Sequence, residues 1–127
     1  MSIAVCGSPF QIRFDIRSDH LRAFVTGPRD SMEVSRSFWN EIAEECLSRG
    51  LLKVLVEEDF PNAISEVELY ELITQAEDAL RQLRIAFVDR RADHAESNRF
   101  AETVARNRGL VVKIFEDTEA AAHWLTS

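Results

Sequence analysis

Leu51-Leu-Lys-Val-Leu-Val56 is a nearly continuous apolar run with β-branched residues, bounded by Gly50 before it and Glu57-Glu-Asp59 after it. This is the pattern of a strand covered on both faces, as in parallel sheets packed between layers. Two runs of the same character follow, Leu83 to Val88 and Leu110 to Phe115, each preceded by a segment with helical spacing. Strands separated by single helices run parallel, because a parallel neighbour needs a crossover to return the chain. The three runs predict the parallel part of an α/β sheet.

Upstream, Phe10-Gln-Ile-Arg-Phe-Asp-Ile-Arg17 alternates strictly, which places Phe10, Ile12, Phe14 and Ile16 on one face of a strand. The turn-prone Ser18-Asp19-His20 joins it to a second strand, Leu21 to Thr26, as an antiparallel hairpin closed by Gly27-Pro28. Asp30 or Ser31 is placed to cap a helix, with Glu33 completing a box on Asp30. That helix turns Val34, Phe38, Ile42 and Cys46 inward, with Trp39, Ala43 and Leu47 beside them, and stops at Gly50. Downstream, the acidic residues end the third strand. Ser65 and Glu68 then box a helix over 66–80 carrying Leu69, Leu72, Ile73, Ala76 and Leu80 on one side. Asp93 with Glu96 opens the next helix, with Phe100, Ala101 and Val104 inward and Gly109 at its end. Thr118 caps a terminal helix that buries Ala121, Trp124 and Leu125. The order β-β-α-β-α-β-α-β-α describes a mixed five-stranded sheet in one α/β domain over residues 1–127.

The 127 residues, 46% hydrophobic and 29% charged, suit one core and not two. A formal charge of -7 repels polyanions, so nucleic acid is not an expected partner. No apolar run approaches the roughly 20 residues of a membrane span, and Met1 to Gly7 lacks the basic start of a signal sequence, so a cytoplasmic protein is expected. Cys6 and Cys46 read as plain thiols.

Charged residues close three strands: Glu57, Glu58 and Asp59; Asp89, Arg90 and Arg91; Glu116 and Asp117. Ligands bind at the carboxyl ends of parallel strands, so these groups could form an acidic rim that attracts a hard cation such as magnesium. Receiver domains use such a rim, yet Lys113 lies mid-strand and no Asp pair closes a first parallel strand. The rim therefore reads as ordinary charged loop ends, with a metal site as the third reading. His20, His94 and His123 show no ligand spacing and read as solvated or capping residues. No GxSxG, Walker loop or GxGxxG occurs, so no catalytic residue, cofactor or metal ligand is assigned and an enzyme is not expected. Trp39 and Trp124 read as core. Tyr70, with Val67 one turn before it and Phe60-Pro61 in the preceding loop, forms an apolar patch able to dock a protein or a second copy as a weak homodimer.

The order of elements, with the closing Val111-Val-Lys-Ile-Phe-Glu-Asp-Thr-Glu-Ala-Ala-Ala-His-Trp-Leu125, resembles the SpoIIAA-like branch of the STAS domains. The resemblance covers roughly Phe10 to Leu125. It implies a STAS-like fold and a bacterial regulatory protein that binds and does not catalyse. Anti-sigma factor antagonists of this family bind a partner kinase and are switched by phosphorylation at the start of the helix after the third strand. The corresponding stretch here is Asn62-Ala-Ile-Ser-Glu-Val-Glu68, in which Ser65 is the nearest match to the phosphorylated residue. Glu66 and Glu68 would repel a phosphate there, so Ser65 is expected to be a cap and not a switch. The family is also similar in fold to Sec14-type lipid carriers, which implies the alternative of a carrier or sensor of a small apolar ligand or lipid. A large cavity is, however, hard to accommodate in so short a chain without thinning its core.

Overall fold

The computed structural model describes residues 9–75 and 78–127; Cys6 and Ala76 lie outside them. Strands β1 (Gln11–Ile16) and β2 (Leu21–Thr26) pair antiparallel, from Gln11 opposite Thr26 to Ile16 opposite Leu21. The amide of Arg17 donates to the His20 carbonyl at 2.9 Å to close the turn. Strands β3 (Lys53–Asp59), β4 (Arg84–Asp89) and β5 (Val111–Phe115) then add in parallel, so the sheet runs β1-β2-β3-β4-β5 in chain order. The helices are α1 (Met32–Arg49), α2 (Glu66–Thr74), α3 (Asp78–Arg81), α4 (Ala95–Asn107) and α5 (Thr118–Thr126).

Chain-order strands with crossovers of one hand put every crossover on the same face of the sheet. Accordingly α1, α3 and α4 share one core with that face, in which Leu21, Val25, Val54, Val56, Ile85 and Phe87 meet Phe38, Ile42, Leu80 and Ala105. Helix α5 follows the last strand and need not return to the sheet. It covers the opposite face, where Ala121 and Leu125 pack on Leu55, Ala86 and Val88. Val54, Leu55 and Val56 are all fully buried, as a strand covered on both faces requires.

Several local expectations change. Strand β3 does not stop at Val56 but continues through Glu57, Glu58 and Asp59, because each pairs in register with β2, Val25 lying opposite Glu58. Ser31, not Asp30, caps α1, accepting the Val34 amide at 3.1 Å. Asp117, not Thr118, caps α5 by accepting the Ala120 amide. Asp93 forms no box: a 3-10 turn over Ala92–His94 precedes α4, and no side chain caps it. The helix expected over 66–80 is two pieces, α2 and α3. Ile16 and Leu47 lie at the margins of their apolar faces and are half exposed.

Two glycines are required where they stand. Gly50 ends α1 at φ 66°, and its amide bonds back toward Cys46 and Leu47. Gly27 lies against Phe60, where an added Cβ would stand 2.7 Å from the ring and from the Pro9 carbonyl. Phe60 is therefore core, fully buried and stacked at 5.9 Å on Phe38. Its place in an exposed patch is corrected by this packing.

Candidate functional site

Helix α1 has 18 residues and α2 nine. At 1.5 Å per residue these rise about 27 Å and about 13.5 Å, so α2 cannot cover its part of the sheet as α1 does. No residue of α2 is fully buried. The space it leaves, between α1, α4 and the sheet, is a cavity of about 280 Å³. Its apolar wall includes Trp39, Leu69, Leu72, Ile73, Phe87 and Ile114. The core is thinned here, which is how a short chain accommodates a cavity after all. Trp39 stacks on Phe87 at 6.2 Å and touches Phe38, and so belongs to both core and cavity wall.

The other end of the cavity is polar, and the period of two along the strands explains why. Val54, Val56, Glu58 and Phe60 alternate toward the helices, so extending β3 by one pair directs Glu58 inward while Glu57 faces α5. On β4, Ile85 and Phe87 are followed in the same way by Asp89. Asp30, at the entry to α1, joins them, and with Glu102 of α4 four carboxyls line one cavity.

Each carboxyl has a distinct environment. Asp89 accepts from the Arg91 amide at 2.9 Å, from Asn98 Nδ2 at 3.0 Å and from His94 Nδ1 at 3.0 Å. Asp30 is buried and accepts the Ser31 amide and the Ser35 hydroxyl, both at 2.8 Å. Asn62 holds the same residue by its backbone, accepting from the Asp30 amide and donating to its carbonyl. Burial raises the Asp30 carboxyl above the usual range, against the lowering effect of its bonds from Ser35, Glu58 and Ser31. Glu58 is half-buried and lines the cavity. Its carboxyl is raised well above the ordinary value by burial, then by the charges of Asp30 and Asp89. Burial and the repulsion between neighbouring carboxylates thus favour a proton retained within the Asp30–Glu58 pair.

The remaining candidates disperse. Glu57 pairs with Arg90 and accepts from Thr118, Asp59 pairs with Arg91, and Glu116 and Asp117 are exposed. Among the described residues no three His, Cys, Asp or Glu side chains are arranged to hold a metal ion. The acidic rim thus divides between the two sides of the sheet, since neighbouring strand residues point opposite ways. His20 and His94 are buried and bonded to Asp19 and Asp89, correcting the solvated reading; His123 is exposed. Ser65 makes the expected capping box with Glu68. Pro61, Val67 and Tyr70 are exposed; the Tyr70 hydroxyl takes a hydrogen bond from Arg108, whose guanidinium lies 5.3 Å from the ring centroid. Of the cavity end assembled from Asp30, Ser35, Glu58, Asp89, His94 and Asn98, only Glu58 and Asp89 were singled out for a site from sequence, as members of the acidic rim. Its signal was a Glu and an Asp continuing apolar alternations, with a buried Phe following the Glu.

No protein-family model matches this chain, and no curated protein matches it. Among solved structures it is similar to an uncharacterized protein of the DUF3478 family with a SpoIIAA-like fold, from Shewanella loihica PV-4. The two are 14% identical with a TM-score of 0.57, over 98% of this chain and 99% of the other. The fold is SpoIIAA-like, with a mixed five-stranded sheet. Among the described residues no helix is long and apolar enough to cross a membrane.

Proposed function

We propose that this chain is a non-catalytic cytoplasmic binding domain, and that it holds a small, largely apolar molecule in the cavity beneath α2. The observation that carries this reading is the cavity itself: an apolar wall with a few polar groups gathered at one end, the usual construction of a small-molecule site. At roughly 30 Å³ per water, about 280 Å³ corresponds to on the order of ten waters, which suits a compact molecule and not a long-chain lipid. Of the two uses that the sequence suggested for this region, the enclosed one has the more specific support. Native mass spectrometry of freshly purified protein tests it. A co-purifying mass that is absent from an Ala101→Trp variant, in which a large ring enters the cavity, is the expected result. Wild-type protein that carries no mass and gains no thermal stability from any member of a small-molecule library would overturn the reading.

A second reading rests on the outer side of the same helix, where Val67 is 69% exposed and Tyr70 45%. With Pro61 they form a surface able to dock a protein, for which the resemblance suggests a kinase or a sigma-regulatory protein. A Val67→Lys, Tyr70→Ala double variant should retain the cavity ligand and lose the protein partner. Undiminished capture of the wild-type partner by that variant would remove this reading.

A further inference from the structure

The polar end of the cavity carries information about its ligand that the apolar wall does not. Four carboxyls, those of Asp30, Glu58, Asp89 and Glu102, line the cavity, and two of them, Asp30 and Glu58, interact directly with each other. Asp89 has three hydrogen-bond donors from the protein and Asp30 has two. Glu58 differs: half-buried and lining the cavity, it has the Asp30 carboxyl as its side-chain partner. Two acids can satisfy one another only by retaining a proton between them, since two carboxylates at that distance repel. A ligand that brought its own positive charge and N–H donors would replace that proton.

We propose that the cavity takes a small primary amine, its apolar body against Leu69, Leu72, Ile73 and Phe87 and its ammonium group between the carboxyls of Asp30 and Glu58. The inference rests on the reading of the cavity as a small-molecule site and adds the chemical class of the ligand. An ammonium group supplies three donors on one charge, enough to reach both carboxyls. Its entry converts Glu58 from acid to carboxylate, and one proton leaves for solvent. A carboxylate-headed ligand would meet Asp30 and Asp89 as like charges, and a neutral alcohol would gain no ionic partner.

The charged and titratable groups around this end are Asp30 before α1, Arg36 on α1, Asp89 on β4, His94 in the 3-10 turn and Glu102 on α4. Arg36 is an exposed residue that donates to Gln75 at 2.8 Å, and Glu102 accepts the Ile114 amide at 2.9 Å and faces Arg106. Glu58 is the member raised well above its ordinary range by burial, so it is the expected source of the released proton.

Isothermal titration of the full chain with 2-phenylethylamine, 2-phenylethanol and phenylacetate, each in two buffers of different ionisation enthalpy at one pH, tests the proposal. The amine is expected to bind at least tenfold more tightly than the alcohol and with net proton release, while phenylacetate gives no binding heat. Glu58→Gln keeps the size of the side chain and a donor toward Asp30; it should abolish proton release and the preference for the amine. If that variant does not fold, the wild-type proton count and the ranking of the three probes decide the question. Equal affinity for amine and alcohol would overturn the amine head while leaving a small-molecule cavity intact. Amine binding without proton release would overturn its placement at Glu58. Binding of none of the three would overturn the amine proposal, while a co-purifying mass lost in Ala101→Trp would still uphold the cavity reading.

Discussion

Replacing Glu58 by glutamine should make the protein more stable at neutral pH, contrary to the usual cost of altering a cavity-lining side chain. In the native state Glu58 holds its proton well above the ordinary glutamate value of 4.5, through burial first and the charges of Asp30 and Asp89 second. In the unfolded chain it loses that proton near 4.5. Between these two pH values the native state binds more protons than the unfolded state, so stability is greatest below the unfolded value and falls as pH rises. One proton limits the slope to about 1.4 kcal/mol per pH unit. Domain stability is typically only about 5–15 kcal/mol, so a slope approaching that limit is readily measured. Asp30, also raised by burial, acts in the same direction. The amide side chain of the Glu58→Gln variant carries no charge and donates an N–H to Asp30, so its curve should be flatter and should cross above wild type as pH rises. Urea unfolding followed by tryptophan fluorescence at pH 5, 6, 7 and 8 measures both curves. Parallel curves for the two proteins would refute the account of Glu58 as an acid held protonated by its surroundings.

The other expectations concern the frame of the site. Ser65→Ala should lose about 1 kcal/mol, the usual value of an N-cap, because the hydroxyl accepting the Glu68 amide at 3.2 Å is removed. Ser65→Asp, also a capping residue, should lose little and leave partner capture unchanged; loss of capture by a folded Ser65→Asp with Ser65→Ala unaffected would restore the phosphorylation switch. Phe60→Ala should cost about 3–5 kcal/mol, since the ring is fully buried between Phe38 and Gly27, and denaturant titration would show a small loss to be inconsistent with that packing. Burial pushes the Cys46 thiol up to about 11, so in a Cys6→Ser background a disulfide reagent at pH 8 should label it only as fast as the protein opens.

The order and type of elements were legible because they depend on spacing along the chain. The apolar runs at Leu51, Leu83 and Leu110, the alternation from Phe10 and the four-residue repeat of Val34, Phe38, Ile42 and Cys46 each state a period that only one element satisfies. The Ser65 box and the Gly50 stop were legible for the same reason, being contacts of three or four residues. The end of β3 was not. A run of three acidic residues marks a strand end in local terms, whereas the parallel pairing of Glu57, Glu58 and Asp59 with β2 keeps them in the strand. Once there, alternation places Glu57 beside Arg90 and Thr118 on one face and Glu58 in the cavity on the other. Asp30 looked equally local, one of two candidate caps. Burial and the hydroxyl of Ser35 gave it another role. By itself the sequence determined which segments are strands and helices, since hydrophobic period and capping act over a few residues. Only the tertiary structure decided that a short α2 leaves a cavity, and that carboxyls at positions 30, 58 and 89 share it, because burial and charge proximity arise only once distant segments meet.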